Sequence, residues 1–337
     1  MSEFTHMTVF RNGEGGYSVY RIPALLTLPD NRVLAFCEGR PTMSDAGRID
    51  TVVRISDDGG RTFGDIRVAA HIDGFTAGNP CPVYDPARNR VLLVFTGNAA
   101  AAHEKDILRG RAPQRQVFLI YSDDGGETWS TPRDISAMAT RPDWTWYATG
   151  PCHAVRMRSG RIVVPCNHGL LSMNDEPTVY VGHCIYSDDG GETWRISADI
   201  GPHTNENTAA EMHGSLYVNL RSYAGRHCRA SAVSYDGGRT FSAPVLKPEL
   251  VESVCQGSLL SVTRGGTERL LFCNPADAYS RRNLTLRESF DGNLWRTVCV
   301  ITPGDAAYCD LCELPDGIGV LYETDGYTRL ALAVIPY

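Results

Sequence analysis

Ser56-Asp57-Asp58-Gly59-Gly60-Arg61-Thr62-Phe63 is the stretch that decides the fold, because it returns. Residues 122–129 read Ser122-Asp123-Asp124-Gly125-Gly126-Glu127-Thr128-Trp129, and the same eight letters recur from Ser187 to Trp194. A close variant runs from Ser234 to Phe241, and a shortened one from Ser289 to Trp295, where Asn293-Leu294 replaces Gly-x-Thr. The central aspartates, Asp58, Asp124, Asp189, Asp236 and Asp291, lie 66, 65, 47 and 55 residues apart. Such periods are too long for a helical solenoid unit. They suit a four-stranded propeller blade of roughly 40–50 residues with loop insertions.

Each copy follows a strand-like run such as Val117-Phe118-Leu119-Ile120-Tyr121, rich in β-branched and aromatic residues. Asp-Gly-Gly cannot continue a strand and favours a tight turn with positive φ. The Asp carboxylate accepts backbone N–H groups inside such a turn, and the Thr hydroxyl closes it. The aromatic that follows starts the next strand and packs into the gap between blades. Acidic residues do not alternate as a calcium loop of the EF-hand type requires, and no bidentate Glu closes the phrase.

Working outward, strand patterns fill the chain: residues 32–36, 90–95, 160–165, 179–186, 215–220, 229–233, 269–272, 319–322 and 328–335. Turn clusters such as Pro29-Asp30-Asn31 and Pro315-Asp316-Gly317 separate them, and helical periodicity is nearly absent. The segment from Gly97 to Gln114, with four successive alanines, is the exception and reads as a short helix or a mobile loop. The expected fold is all-β, a six-bladed β-propeller with Asp-box repeats, formed by residues 1–337 as one domain. Six repeats in 337 residues allow about 56 residues each.

A hydrophobic content of 42% permits a full core, and a net charge of −7 argues against a nucleic-acid partner. The eleven cysteines are scattered. One Cys-x-x-Cys, Cys309-Asp310-Leu311-Cys312, lacks a second pair for zinc and a βαβ setting for redox work, and reads as two ordinary thiols. So many unpaired thiols, with no signal peptide visible at Met1–Gly16, lead to the expectation of a cytoplasmic location. No run of 18 apolar residues exists, so no membrane span is expected. Neither metal nor cofactor is expected, and the oligomeric state is left open.

One motif stands apart from the repeats. Tyr20-Arg21-Ile22-Pro23-Ala24 sets an arginine among apolar strand residues, where burial without a partner is costly. Arg-Ile-Pro followed by several Asp boxes resembles the sialidase (neuraminidase) family of glycoside hydrolases, and the resemblance covers essentially the whole chain. It implies a propeller whose active site lies at the central axis, opposite the repeated turns. The substrates it implies are sialylated glycans, whose terminal nine-carbon sugars carry a carboxylate on the anomeric carbon. Three arginines clamp that carboxylate in the family, a task that suits a planar fork of donors. Arg21, Arg221 and Arg281 match them, with Arg282 open as the alternative third. Glu323 resembles the acid that holds the first arginine.

The resemblance implies a tyrosine nucleophile, Tyr308, in place of the carboxylate used by most retaining glycosidases. A neutral phenol activated by a base avoids repulsion from the substrate's own carboxylate. Its base is matched by Glu206, with Glu211 five residues on. In one unbroken strand those two face opposite ways. Asp45 matches the general acid, with Asp50 as the fallback. Arg40, Asn79, Glu104 and Gln256 match further substrate contacts, the last three as rim residues. No secure match exists for family rim aromatics around Asn167-His168-Gly169. The implied activity is that of a retaining exo-α-sialidase. A trans-sialidase, a hydrolase of the deaminated sugar, and an inactive sialic-acid-binding propeller are the alternatives.

Overall fold

The computed structural model describes residues 4–171 and 178–337, and most of that backbone is antiparallel strand. Among the described residues the strands form five sheets: three of four strands, one of six and one of seven. In the first, Val19–Thr27, Val33–Arg40, Asp50–Ser56 and Arg67–Ala70 pair in sequence order. Val33–Arg40 is buried at all eight positions, because both faces of its sheet are covered.

The sheets follow one another around an axis, and the core lies between them. One apolar cluster joins Phe36 and Val53 of the first sheet to Phe95 and Ile120 of the next. Another joins Leu92 and Leu119 to Ile162 and Ile185, and a third joins Val163 and Tyr186 to Leu216 and Val218. A fourth carries Met212 against Leu270 and Phe272. The circle closes where Leu314, Leu321 and Leu332 meet Tyr20, Leu25 and Val33. The arrangement is therefore propeller-like. The chain ends share a sheet: Thr5–Arg11 pairs antiparallel with Arg329–Pro336.

The repeated phrase forms the turn expected of it. In the second copy Ser122 Oγ donates to Asp124 Oδ1 (2.7 Å), which also accepts the Thr128 N–H (2.9 Å), while Thr128 Oγ1 donates to Asp124 Oδ2 (2.5 Å). Gly125 and Gly126 have φ of +72° and +93°, where a side chain is strained. The shortened copy keeps the backbone bonds, from Asn293 and Leu294 N–H to Asp291 Oδ1, and has no threonine hydroxyl. Each turn packs on the preceding sheet. A Cβ on Gly126 would meet Leu34, one on Gly191 Leu92, and one on Gly238 Val163 as well as Leu216 of its own sheet. A Cβ on Gly60 would meet Leu314 and Leu332, so the first turn buckles onto the last sheet. Trp129 packs edge-on against Phe36, across the same kind of gap.

Two inner strands carry no apolar signature. Gly78–Asp85 and Thr204–Met212 are polar or proline-rich, yet buried almost throughout. The Gly97–Gln114 segment holds one short helix, Glu104–Leu108. No helix among the described residues is long and apolar enough to cross a membrane. All eleven cysteines are free thiols, and ten of them are buried.

Candidate active site

Strands of a sheet run from the turn face, where Ser56 ends its strand, to the opposite face, where Asp50 begins it. At that opposite face the inner strands lose regular register. The ladder shifts between Arg21 and Ala24, between Gly78 and Cys81, and between Trp144 and Tyr147. It shifts again between Thr204 and Asn207 and between Ala306 and Cys309. A bulge re-aims side chains that strict alternation would send elsewhere. Arg21, Asn79, Trp146, Glu206 and Tyr308 lie at these five irregularities and line one cavity of about 240 Å³. Ile22 and Asn79 have φ of +62° and +54°, strained values for non-glycine residues.

Tyr308 and Glu206 form the centre. The phenol lies 2.7 and 2.9 Å from the two Glu206 carboxylate oxygens. Burial pushes the phenol's pKa well up, the Glu206 charge adds to this, and Arg221 opposes it. Arg221 Nη1 donates to Glu206 Oε2 (2.6 Å) and to the phenol oxygen (3.1 Å). Arg21 and Arg281 each stand with the guanidinium carbon 5.5 Å from the Tyr308 ring centroid. The three arginines and Tyr308 thus bound one end of the cavity.

Glu323 is fully buried and serves several groups at once. It accepts Arg21 Nε at 2.7 Å and Nη2 at 3.3 Å, the Ile22 N–H at 2.9 Å and the Tyr308 N–H at 3.2 Å. Burial alone would lower the Arg21 pKa, but the Glu323 carboxylate outweighs it and the net shift is upward. Two residues past Tyr308, buried Asp310 accepts the N–H groups of Leu25 and His153, His153 Nδ1 and Ser258 Oγ. The nucleophile candidate therefore sits on a strand tied across the axis to three other segments.

Arg40 and Asp45 line the cavity too. Arg40 donates from Nε to Glu38 Oε2 (2.7 Å) and from Nη1 to Asp45 Oδ1 (2.7 Å). Asp45 remains 69% exposed, so its carboxyl is free to meet a ligand atom. Asp50 is turned away: it is buried against Tyr17 Oη and His71 Nδ1, both at 2.6 Å. Arg282 also points outward, to Asp277 (2.8 Å), so Arg281 is the neighbour that lines the cavity. Glu211 accepts the Arg158 N–H at 2.7 Å, away from the centre. Glu104 lines the cavity and accepts the Tyr180 hydroxyl at 2.6 Å; burial raises its pKa.

Gln256 lies in a different place from the rim position expected of it. Its side chain is buried, and its amide is used by Pro151 O (2.9 Å), Cys309 O (3.0 Å) and Cys309 N (2.9 Å). It holds the Tyr308 strand from beneath. Asn79 is at the cavity wall, where its N–H donates to Glu38 (2.7 Å) and its Oδ1 accepts from Arg115 (2.9 Å). Residues that sequence reasoning did not single out complete the wall, Glu38, Arg115, Trp146 and Tyr223, together with Asn167. Tyr180 and Tyr223 stack with centroids 5.4 Å apart and supply aromatic surface of the kind sought around Asn167. No cluster of ligands suited to a metal ion occurs among the described residues.

Chemically, this is a cation-rich end for an anionic group, with a buried phenol–carboxylate pair beside it and an accessible carboxyl on a loop. A ring of Asp-box sheets around such a centre defines the class as a propeller-like β protein with an axial site suited to an anionic ligand. The BNR repeat-like domain family matches residues 31–321. The chain is 30% identical over 351 residues to a sialidase of Micromonospora viridifaciens, covering 97% of this chain and about half (53%) of that protein. It is 28% identical to mouse sialidase-2 over 361 residues, with 97% and 94% covered. Among solved structures, Hadza microbial sialidase Hz136 superposes with a TM-score of 0.90 at 26% identity, over 98% of this chain and 68% of that one. The chain belongs to the sialidase family of glycoside hydrolases.

Proposed function

We propose that the protein is a retaining exo-α-sialidase that releases terminal α-linked sialic acid from glycans through a covalent tyrosyl intermediate. The observation that carries this reading is the Tyr308 hydroxyl held by both Glu206 oxygens at the arginine end of the cavity. The substrate carboxylate binds Arg21, Arg221 and Arg281. Glu206 takes the phenolic proton as Tyr308 Oη bonds to the anomeric carbon. The bond to the leaving oxygen breaks, and Asp45 donates a proton to that oxygen. Water then attacks the same carbon and gives its proton to Asp45, while the phenolate departs and recovers its proton from Glu206. Burial, which raises the phenol's pKa, also makes a free phenolate costly, so a base in direct contact is needed.

We also infer six blades. The support is the strand Arg296–Leu314: its first part, to Asp305, pairs with Arg282–Ser289, and its second, from Ala306, pairs with Gly317–Thr324. The seven-stranded sheet then counts as two blades sharing one strand.

Two inversions give retention, so the first sugar released should be the α-anomer, read by proton NMR within seconds of mixing. A 2,3-difluorinated sialosyl inhibitor should leave a mass adduct on Tyr308. First-formed β-anomer, or an adduct on another residue, would overturn the mechanism. Transfer of the sugar to an added acceptor in place of water would mark a trans-sialidase.

A further inference from the structure

Five arginines line the cavity, and one of them is held differently from the rest. Arg21 and Arg221 are each ion-paired with a glutamate, and Arg40 with Glu38 and Asp45. Arg281, at the cation-rich end, rests against the Tyr327 hydroxyl at 3.2 Å. All four sit above the ordinary arginine pKa. Arg115 alone is displaced the other way: burial pulls its guanidinium down to about 10. It is 3% exposed, and no carboxylate among the described residues lies within ion-pair distance of it. Among the described residues its side-chain hydrogen bonds leave from Nη1, to two neutral acceptors, Asn79 Oδ1 (2.9 Å) and Tyr147 O (3.2 Å). Nε is buried with no partner among the described residues. The Trp146 ring lies 4.2 Å from the guanidinium carbon and covers one face.

The acids nearby do not resolve this. Glu38 is committed to Arg40 and to the Asn79 N–H, Glu104 to Tyr180, and Asp45 to Arg40. A buried cation left in that condition is costly unless a ligand completes it. Arg115 lines the cavity on the wall it shares with Asn79, Trp146 and Ala148, which belong to the second and third sheets. The carboxylate clamp is built by the first, the fourth and the seven-stranded sheet. In a pyranose the carbon diagonally across from the anomeric carbon, C5, is the one that faces the far wall when the anomeric carboxylate is clamped. In sialic acids C5 carries the substituent that distinguishes one member from another.

We propose that Arg115 is the specificity-determining residue for that C5 substituent, donating from its free edge to an oxygen there and favouring substituents that end in oxygen over those that end in methyl. This rests on the sialidase reading above. An N-acetyl group turned to the far wall places its methyl against the guanidinium and leaves the donors unpaired. An N-glycolyl hydroxyl, or a hydroxyl directly on C5, meets them. A site built around hydrogen-bond donors discriminates against a ligand that cannot satisfy them, by about 5–160-fold for one buried donor left unpaired.

The test measures kcat/KM for three 4-methylumbelliferyl α-sialosides that differ only at C5: N-acetyl, N-glycolyl and hydroxyl. Wild type should favour one of the oxygen-ended substrates over N-acetyl by about tenfold or more. Arg115→Met keeps the stem against Trp146 and removes the donors; it should erase that preference, read as the ratio of the kcat/KM values and not as any single rate. Arg115→Lys keeps the charge, loses the fork, and should fall between. It also serves if the Met variant does not fold, which a thermal melt decides. A ratio that stays constant in either folded variant, or a wild-type preference for N-acetyl, overturns the assignment while leaving the sialidase reading intact. Wild type that cleaves none of the three removes both.

Discussion

On the turn face, Asp124 is held by a serine two residues before it and a threonine four residues after it. On the axial face, Arg21 is held by a carboxylate 302 residues away, and the Tyr308 hydroxyl by one 102 residues away. The two faces belong to the same strands, yet one is assembled locally and repeated five times while the other is assembled once from the whole ring. Local closure is low in entropic cost and tolerates error in a single copy, as the shortened fifth turn demonstrates. The axial constellation exists only when the ring is closed, since Arg21 and Glu323 come from opposite chain ends. The two faces should therefore separate cleanly in experiments that read activity and stability side by side.

The largest separation is expected at Glu206. Glu206→Gln keeps the shape and an acceptor for the Tyr308 hydroxyl but cannot take its proton. It should lower kcat by about 10²–10⁴-fold, the usual range for a general base. The melting temperature should move little, because Arg221 retains a polar neighbour. A wild-type rate in this variant would remove Glu206 from the chemistry. A collapse in stability with the loss of rate would mean that the axial face is as structural as the turn face.

Glu323→Gln tests the opposite possibility. Glu323 touches two functional residues but joins the chain's two ends, so both readouts should respond. Loss of one partner from a buried ion pair typically costs about 3–5 kcal/mol, here tempered by the cavity beside Arg21. Chemical denaturation would measure it, and KM should rise because Arg21 loses its bidentate orientation. Unchanged stability with raised KM would make Glu323 a positioning residue only.

The same contrast explains what could be read before the structure. The turn phrase was legible because its hydrogen bonds join residues within one octet, and each residue type has a single job in it. Apart from Arg21, an arginine set among apolar strand residues, the axial residues carry no local signature, and resemblance alone places them. The parity rule illustrates the gap. Glu206 and Glu211 do project differently, but the ladder shifts between Thr204 and Asn207, so simple alternation does not describe which one reaches the axis. Gln256 is a rim amide by resemblance alone; in the structure Cys309 and Pro151 consume its side chain. Arg115, in Ala112-Pro113-Gln114-Arg115-Gln116, reads as a loop arginine, and nothing local signals its burial. The inner strands Gly78–Asp85 and Thr204–Met212 escaped for a related reason: they bury polar groups against one another at the axis, where apolar periodicity is lost.

The smallest expected effect lies in the fifth turn and measures what one hydroxyl contributes. In the four full copies the threonine hydroxyl donates to the second Asp oxygen, at 2.6 Å in the first, third and fourth. In the fifth, Leu294 occupies the position before the tryptophan, 79% exposed, with its N–H still on Asp291 Oδ1 at 2.8 Å. Leu294→Thr removes little buried apolar surface and restores the missing donor, so stability should rise by a few tenths to about 1 kcal/mol. Thr128→Val should cost a similar amount, with kcat/KM unchanged in both. The pH dependence carries a sign that can be checked. Hydrogen bonds from Thr62 and Ser56 hold Asp58 down at about 2, and comparable bonds, outweighing burial, hold Asp124 and Asp236 there. An unfolded Asp titrates near 3.9, so these turns contribute stability above about pH 4 and lose it as pH falls toward 2. The benefit of Leu294→Thr should therefore be full at pH 7 and shrink in acid. A benefit that persists undiminished at pH 2 would assign it to the lost leucine and not to the new hydroxyl.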